Sequence, residues 1–315
     1  MKILFITSTR IGDAVLSTGI IEYLRQKHPS AQFTVVCGPA AAPLFEALPN
    51  MERLISMTKE KMSGHWFRLW WECVPYYWDM VIDLRRSAVS YLLAAGGRFP
   101  LKSKREPVHR VRQIADILSL PEAPMPKIWI SDKHRQRATE FIPGDGLVLG
   151  IGPTTNWRAK TWRAENFVAL VNKITQAGEM MEGARIAIFG APDERELAQP
   201  VIDALPNCID LVGKLDLLTA YACLKRCSFY IGNDSALMHL AAASGIPTLG
   251  LFGPSLDSHY APWGWNTKVV RTIHSYDDIF PPNFDHRSSD SLMDSLSVDS
   301  AYDAANELWG HIHVG

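Results

Sequence analysis

Short apolar runs alternate along the chain with stretches whose apolar positions recur at helical spacing. Lys2–Ile6 reads as a strand, Thr7–Gly12 as a loop and Asp13–Lys27 as a helix, with Val15, Leu16, Gly19, Ile20 and Leu24 on its buried side. Further strands are expected at Phe33–Cys37, Arg53–Met57 and Trp78–Leu84, and helices at Ala40–Leu48, Ser87–Ala95 and Val111–Leu120. A second series begins with an edge strand at Lys127–Ser131, a charged helix at Asp132–Ile142 and the Pro143-Gly-Asp-Gly146 break. It continues with strands at Leu147–Gly152, Arg185–Phe189, Cys208–Val212, Phe229–Ile231, Thr248–Phe252 and Lys268–Arg271. The helices between them are Ala164–Gln176, Glu194–Leu205, Leu217–Lys225 and Ala236–Ser244. Strands alternating with helices of this length predict α/β architecture with parallel, doubly wound sheets. Two domains follow, residues 1–143 and 144–315. His274–Ser297 is polar and poorly periodic and reads as loop, partly disordered. The last helix, about 298–311, is free to pack back on the N-terminal domain.

At 315 residues the chain exceeds the usual size of one core, which supports the division. A formal net charge of −1 gives no basic field for nucleic acid. No stretch approaches the ~18 apolar residues of a membrane span, and the apolar part of Met1–Arg10 is too short for a signal peptide. The expectation is a cytoplasmic monomer, with peripheral contact to the inner face of the cytoplasmic membrane left open. Cys37, Cys73, Cys208, Cys223 and Cys227 are scattered and read as reduced core residues, not as a zinc site. His65–Trp78 packs four Trp and two Tyr into fourteen residues. It reads either as a core-facing helix or as a surface for a membrane interface, a sugar or a lipid.

Chemistry concentrates where strands end. Tyr230-Ile-Gly-Asn-Asp-Ser-Ala runs from a strand through a turn into a small-residue helix ended by Gly245. A helix start at the end of a parallel strand offers N–H groups and a positive dipole to an anion. His239 lies one turn after Ser235, so both can face one crevice. The same pattern also fits a plain packing helix, with Asp234 a cap. Pro153-Thr-Thr-Asn-Trp-Arg-Ala-Lys160 places two hydroxyls and two cations after another strand, and Phe189-Gly-Ala-Pro-Asp193 ends a third. The first loop, Ser8-Thr-Arg-Ile-Gly-Asp13, lacks the glycines of a dinucleotide loop and the Lys-Ser/Thr of a P-loop. Asp13 there suits proton abstraction from a neutral hydroxyl, or caps the helix. No Asp-x-Asp pair occurs, which favours charge neutralisation by Lys, Arg and helix dipole over a bound metal.

Together, Ile11-Gly-Asp-Ala14, Val81-Ile-Asp-Leu84, Pro153-Thr-Thr155 with Lys160-Thr-Trp162, and Gly232-Asn-Asp-Ser235 with His239 and Phe252-Gly-Pro254 resemble the lipopolysaccharide heptosyltransferases of glycosyltransferase family nine. The resemblance implies a GT-B fold, two Rossmann-like domains facing a cleft, the N-terminal one for the acceptor and the C-terminal one for the nucleotide sugar. It implies inverting transfer from ADP-heptose to a glycolipid acceptor at the inner membrane surface, with no cofactor and no metal. Asp13 matches the family's proposed base. Thr154, Thr155 and Lys160 match contacts to the donor phosphates, and Asp234, Ser235, Ala236 and His239 match the segment around the nucleotide sugar. Gly12, Arg10, Arg158, Asp193 and Gly253 stand at the same loop ends as further donor or acceptor contacts. The sequence departs from the family in having Ala236 where Gly is usual and no cysteine in 274–297. A relative using another nucleotide sugar, a sugar-nucleotide epimerase of similar fold and a non-catalytic nucleotide-sugar-binding protein are the alternatives.

Overall fold

The computed structural model describes residues 1–102, 107–281, 284–285 and 289–313, and the chain separates into two compact units, Met1–Ser131 and Asp132–Gly315. In the first unit β1 (Lys2–Ile6), β2 (Gln32–Cys37), β3 (Met51–Ser56), β4 (Trp78–Asp83) and β5 (Ala95–Pro100) form a parallel sheet in the order β3-β2-β1-β4-β5. Helices α1 (Ile11–Lys27), α2 (Gly64–Cys73) and α3 (Arg110–Ala115) belong to this unit. Ile3 through Ile6 are fully buried. A strand covered on both faces reads as a continuous apolar run, which is why β1 was legible without alternation. Leu4, Ile6, Val36, Val81 and Trp78 pack with Leu69 and Cys73 of α2 in one core, while Ile3 and Phe5 point to the opposite face.

The second unit opens with α4 (Asp132–Phe141). Its strands are β6 (Val148–Gly152), β7 (Arg185–Ile188), β8 (Ile209–Asp210), β9 (Phe229–Asn233), β10 (Thr248–Phe252) and β11 (Thr267–Arg271), in the parallel order β11-β10-β9-β6-β7-β8. Its other helices are α5 (Ala164–Thr175), α6 (Arg195–Ala204), α7 (Leu217–Leu224), α8 (Ala236–Ser244), the single turn α9 (Asp257–Tyr260) and α10 (Val298–His313). Both sheets grow outward from their first strand, one way through the next two strands and the other way after a crossover. That reversal leaves a crevice beside the first strand's carboxyl end, where open α/β sheets bind ligands.

Several expectations give way. The division falls at Ser131/Asp132 and not at 143/144, because α4 is tied to α7 of the second unit, with Arg137 2.7 Å from Asp216. Lys127–Ser131 is no strand. It runs along α1, where the Lys127 N–H donates to Thr18 Oγ1 at 2.9 Å, and a Cβ on Gly19 would lie 2.6 Å from the Pro124 carbonyl oxygen. The helix expected at Ser87–Ala95 is only a 3-10 turn at Ala88–Tyr91, followed by the unforeseen strand β5. Gly96, just past the end of the expected helix, sits in that strand, and a Cβ there would lie 3.1 Å from the Asp79 carbonyl oxygen. Ala40–Leu48 is likewise reduced to a 3-10 turn, Ala42–Phe45.

The last helix buries Ala301, Ala305 and Leu308 in the core of the second unit. Much of 274–297 is anchored although irregular: Trp162 Nε1 donates to the Leu296 carbonyl at 2.9 Å, and Leu292 N–H to that of Ala159 at 3.0 Å. Residues 282, 283 and 286–288 of that segment lie outside the described residues. Among the cysteines, burial pushes the Cys37, Cys73 and Cys223 thiols up to about 12, so they remain protonated core groups.

Candidate active site

The crevice of the first unit lies where β1 and β4 release their chains. Four residues, Thr7–Arg10, join β1 to α1, so Asp13 falls in the first turn of that helix. The N-cap is Arg10, which makes no side-chain cap bond, so Asp13 does not serve as the N-cap. The only side-chain hydrogen bond it makes among the described residues is a long one, 3.5 Å from the Ser8 hydroxyl. A carboxylate at this helix end is favoured by the dipole and faces the cavity with its acceptor capacity largely unused.

The cavity, of about 390 Å³, is lined by Thr7, Ser8, Thr9, Arg10, Asp13, Leu84, Arg85, Arg110 and Ile114. Gly12 stands in the same first turn. Sequence reasoning missed Arg85 and Arg110. Asp83, fully buried at the end of β4, explains the first. Its carboxylate accepts from the Arg85 N–H at 2.8 Å, and from the Ser87 N–H and hydroxyl at 2.7 Å each. These bonds hold a turn with Arg86 at φ 55°, from which Arg85 reaches Thr9 Oγ1 at 3.4 Å. The motif Val81-Ile-Asp-Leu84 is therefore a loop-shaping device. Arg110, on α3, keeps a buried Nε without a hydrogen-bond partner among the described residues, while its Nη1 donates to Gln113 at 3.3 Å. Three guanidinium groups thus accompany Asp13 around one polar cavity, an arrangement suited to an acidic or heavily hydroxylated ligand.

The crevice of the second unit lies between β6 and β9. Lys160 donates to the Asp234 carboxylate in a short charge-assisted bond and stands 5.8 Å from the Trp157 ring. The two side chains are 23% and 7% exposed, so the pair is shielded but reachable from the crevice. Asn233, fully buried, ties the two loops together: Oδ1 accepts from Trp162 N–H at 3.1 Å and Nδ2 donates to the Gly152 carbonyl at 3.4 Å. Ser235 is the N-cap of α8 but makes no side-chain cap bond, and Ala236 opens the helix. The first N–H groups of α8 thus have no side-chain acceptor from the cap, the arrangement that accepts an anion. His239 is buried one turn on, beside Met238 and Leu240.

The other expected residues are placed differently. Thr154 donates to Glu194 Oε2 at 2.8 Å, and Thr155 to the Trp157 carbonyl at 2.7 Å. Both hydroxyl protons are therefore spent within the protein, holding the loop after β6. Glu194, unforeseen, also accepts from Ala191 N–H at 3.1 Å, whereas Asp193 beside it is exposed. Arg158 points to Asp290 at 3.1 Å and is largely exposed. The Gly253 carbonyl accepts from Arg271 at 3.2 Å, and its missing Cβ is occupied by Met293, whose Sδ would be 2.4 Å away. Among the described residues no cluster of three or more His, Cys, Asp or Glu is placed to hold a metal ion.

The family model of glycosyltransferase family 9 (heptosyltransferase) matches residues 78–279, more than half of the chain. Lipooligosaccharide heptosyltransferase 2 of Haemophilus influenzae is 24% identical over 314 residues, covering 87% of this chain and 89% of that one. Among solved structures, a glycosyl transferase family 9 protein from Veillonella parvula superposes with a TM-score of 0.80 at 23% identity, covering 98% of this chain and 97% of that one. The ADP-heptose lipopolysaccharide heptosyltransferase II of Escherichia coli gives 0.75 at 20%, covering 99% and 100%. The fold is accordingly GT-B.

Two glycines of the second crevice answer to packing. Tyr230 is fully buried under both: a Cβ on Gly152 would lie 2.0 Å from its Oη, and one on Gly232 2.5 Å. Burial also drives the phenol's ionisation far above its ordinary range, so it stays a neutral filler. Gly152→Ala is expected to destabilise the protein by ~1–3 kcal/mol, the scale of overpacking. Adding Tyr230→Phe should recover most of that loss. Urea denaturation checks both, and a double variant no more stable than the single one would refute the clash.

Proposed function

Because the chain belongs to glycosyltransferase family 9, the heptosyltransferases, we propose that it moves heptose from ADP-heptose to a hydroxyl of a lipopolysaccharide core acceptor, with inversion at the anomeric carbon. The observation that carries this reading is the contrast between the crevices. One holds a carboxylate with unused acceptor capacity among guanidinium groups; the other holds a lysine beside a helix start without a side-chain cap. Asp13 takes the proton from the acceptor hydroxyl as its oxygen bonds to the anomeric carbon and the sugar–phosphate bond breaks. Arg10, Arg85 and Arg110 hold acidic or hydroxyl groups of the acceptor. The diphosphate that leaves carries the negative charge away from the sugar, and Lys160 and the N–H groups of α8 stabilise it. Asp234 positions Lys160 and does not itself face phosphate, since like charges repel.

This division gives the first unit the acceptor and the second the donor. Lysine and the helix dipole supply the neutralising charge, so the reaction requires no metal. The sugar preference follows the family, whose relative in Escherichia coli is described as an ADP-heptose enzyme.

Asp13→Asn should lower the transfer rate by at least about a hundredfold, the low end for a lost general base, with ADP-heptose affinity unchanged. Near wild-type turnover would remove Asp13 from the base role. In the same assay, excess chelator should leave the rate of the wild-type protein intact, and a strong loss would show a metal requirement. Lys160→Ala should weaken ADP binding by ~1.5–3 kcal/mol, the scale of a hydrogen bond to a charged group. It also strips Asp234 of its partner, so Lys160→Ala with Asp234→Asn should bind ADP more tightly than Lys160→Ala alone. Calorimetry measures all three, and equal affinities for the wild type and Lys160→Ala would exclude the lysine from the phosphate site.

A further inference from the structure

One face of α2 has no part in the fold or in the chemistry above. His65, Leu69 and Cys73 are buried, with Trp66 and Trp70 packed half-buried against the core of the first unit. At helical spacing on another side stand Phe67, Trp71 and Val74, and both Phe67 and Trp71 are 66% exposed. Met62, just before the helix, is 100% exposed. Trp70 joins this stripe to the loop after β4: its ring lies 5.7 Å from Phe67 and 6.2 Å from Trp71, and its indole N–H donates to the Leu92 carbonyl at 3.4 Å. Tyr91 and Leu92 beside it are also mostly exposed. A water-facing helix side is ordinarily polar, and large apolar side chains grouped at a surface mark an interaction site.

The charges indicate what kind. Glu60 and Glu72 are each held in an ion pair, with Arg68 at 2.7 Å and Arg53 at 3.0 Å. Lys59 and Lys61 flank Glu60, are exposed, and have no ion pair among the described residues. The rim is therefore net positive around an aromatic centre. Interfaces between proteins favour aromatics but are depleted in lysine. Tryptophan and phenylalanine at headgroup depth, with lysines reaching lipid phosphates, are the pattern of an interfacial helix.

We propose that this surface seats the first unit on an anionic bilayer. The inference rests on the reading that the acceptor is a glycolipid. The stretch that begins with Leu84 and Arg85 in the acceptor cavity continues to Tyr91 and Leu92 in the patch, so one short segment joins lipid surface and cavity.

The test uses the full chain and vesicles that contain no acceptor, either phosphatidylcholine alone or phosphatidylcholine with phosphatidylglycerol at about 3:1. Sedimentation with the anionic vesicles is expected, with at least about tenfold weaker binding to the neutral ones. Phe67→Ser with Trp71→Ser, and separately Lys59→Glu with Lys61→Glu, should each lower binding to the anionic vesicles at least about tenfold. Both variants should transfer to a deacylated, water-soluble acceptor at the wild-type rate. No binding by the wild type, or binding unchanged in both variants, would overturn the proposal. So would a wild-type dimer in sedimentation equilibrium that the aromatic variant dissociates, since it would assign the face to a second copy. Vesicle binding without transfer to any acceptor would count against the transferase reading alone and leave the surface assignment standing.

Discussion

A parallel strand buried on both faces hands its chain to water only at its ends, and everything chemical in this protein follows from that constraint. β1 and β6 are the first strands of their sheets, and each is paired on one side with the second strand and on the other with the fourth. The crossovers on either side diverge, so the carboxyl ends of β1 and β4, and of β6 and β9, open into crevices that cannot be filled by a continuing strand. Asp13 and Arg85 stand at the first such place; Lys160 and Asp234 stand at the second. The apolar runs that build the sheets thus also decide where polar groups can gather without desolvation cost.

Holding those groups takes buried hydrogen bonds. Asp83 fixes the turn that carries Arg85, and Asn233 ties the loop after β6 to the end of β9. Thr154 and Glu194 brace the loop after β6 against the one after β7. Tyr230 fills the space below with a side chain that only two glycines can accommodate. Each of these groups is placed where its loss would loosen the loops that carry the charged side chains. That is a general condition for a site made of loops: its geometry is only as defined as the buried polar network under it.

Much of this was legible, and the reasons are local. Lys2–Ile6, Ala236–Ser244 and Thr248–Phe252 have the residue limits read from the chain, because apolar runs bounded by Gly, Pro or N-cap residues carry their own punctuation. The family-bearing residues Asp13, Lys160 and Asp234 lie at strand ends for the same reason. β5 escaped because Gly96-Gly97 reads as a break, and only its neighbour β4 makes a strand of it. Arg85, Arg110 and Glu194 escaped because nothing in their spacing distinguishes them; tertiary topology alone brings them to a crevice. The present partners of Thr154 and Thr155 escaped too, since a hydroxyl's partner cannot be read from its position in a loop.

The two units share a strand order but hold opposite chemistry, and loop length accounts for the difference. Between β1 and α1 only Thr7–Arg10 intervene, so the helix begins at the crevice and its first turn lines the cavity there. A short acid, Asp13, does so without blocking the opening. Between β6 and α5 the chain spends residues 153–163, long enough to fold over the crevice and present Lys160 from a loop. The helix start at that crevice is then α8, after β9, which opens with the small residue Ala236. A helix that starts with a carboxylate disfavours an anion at its end, whereas one that starts without a side-chain cap welcomes it. The same topology therefore places a carboxylate at the crevice of one unit and a helix start without a side-chain cap at that of the other, through the length of a single loop.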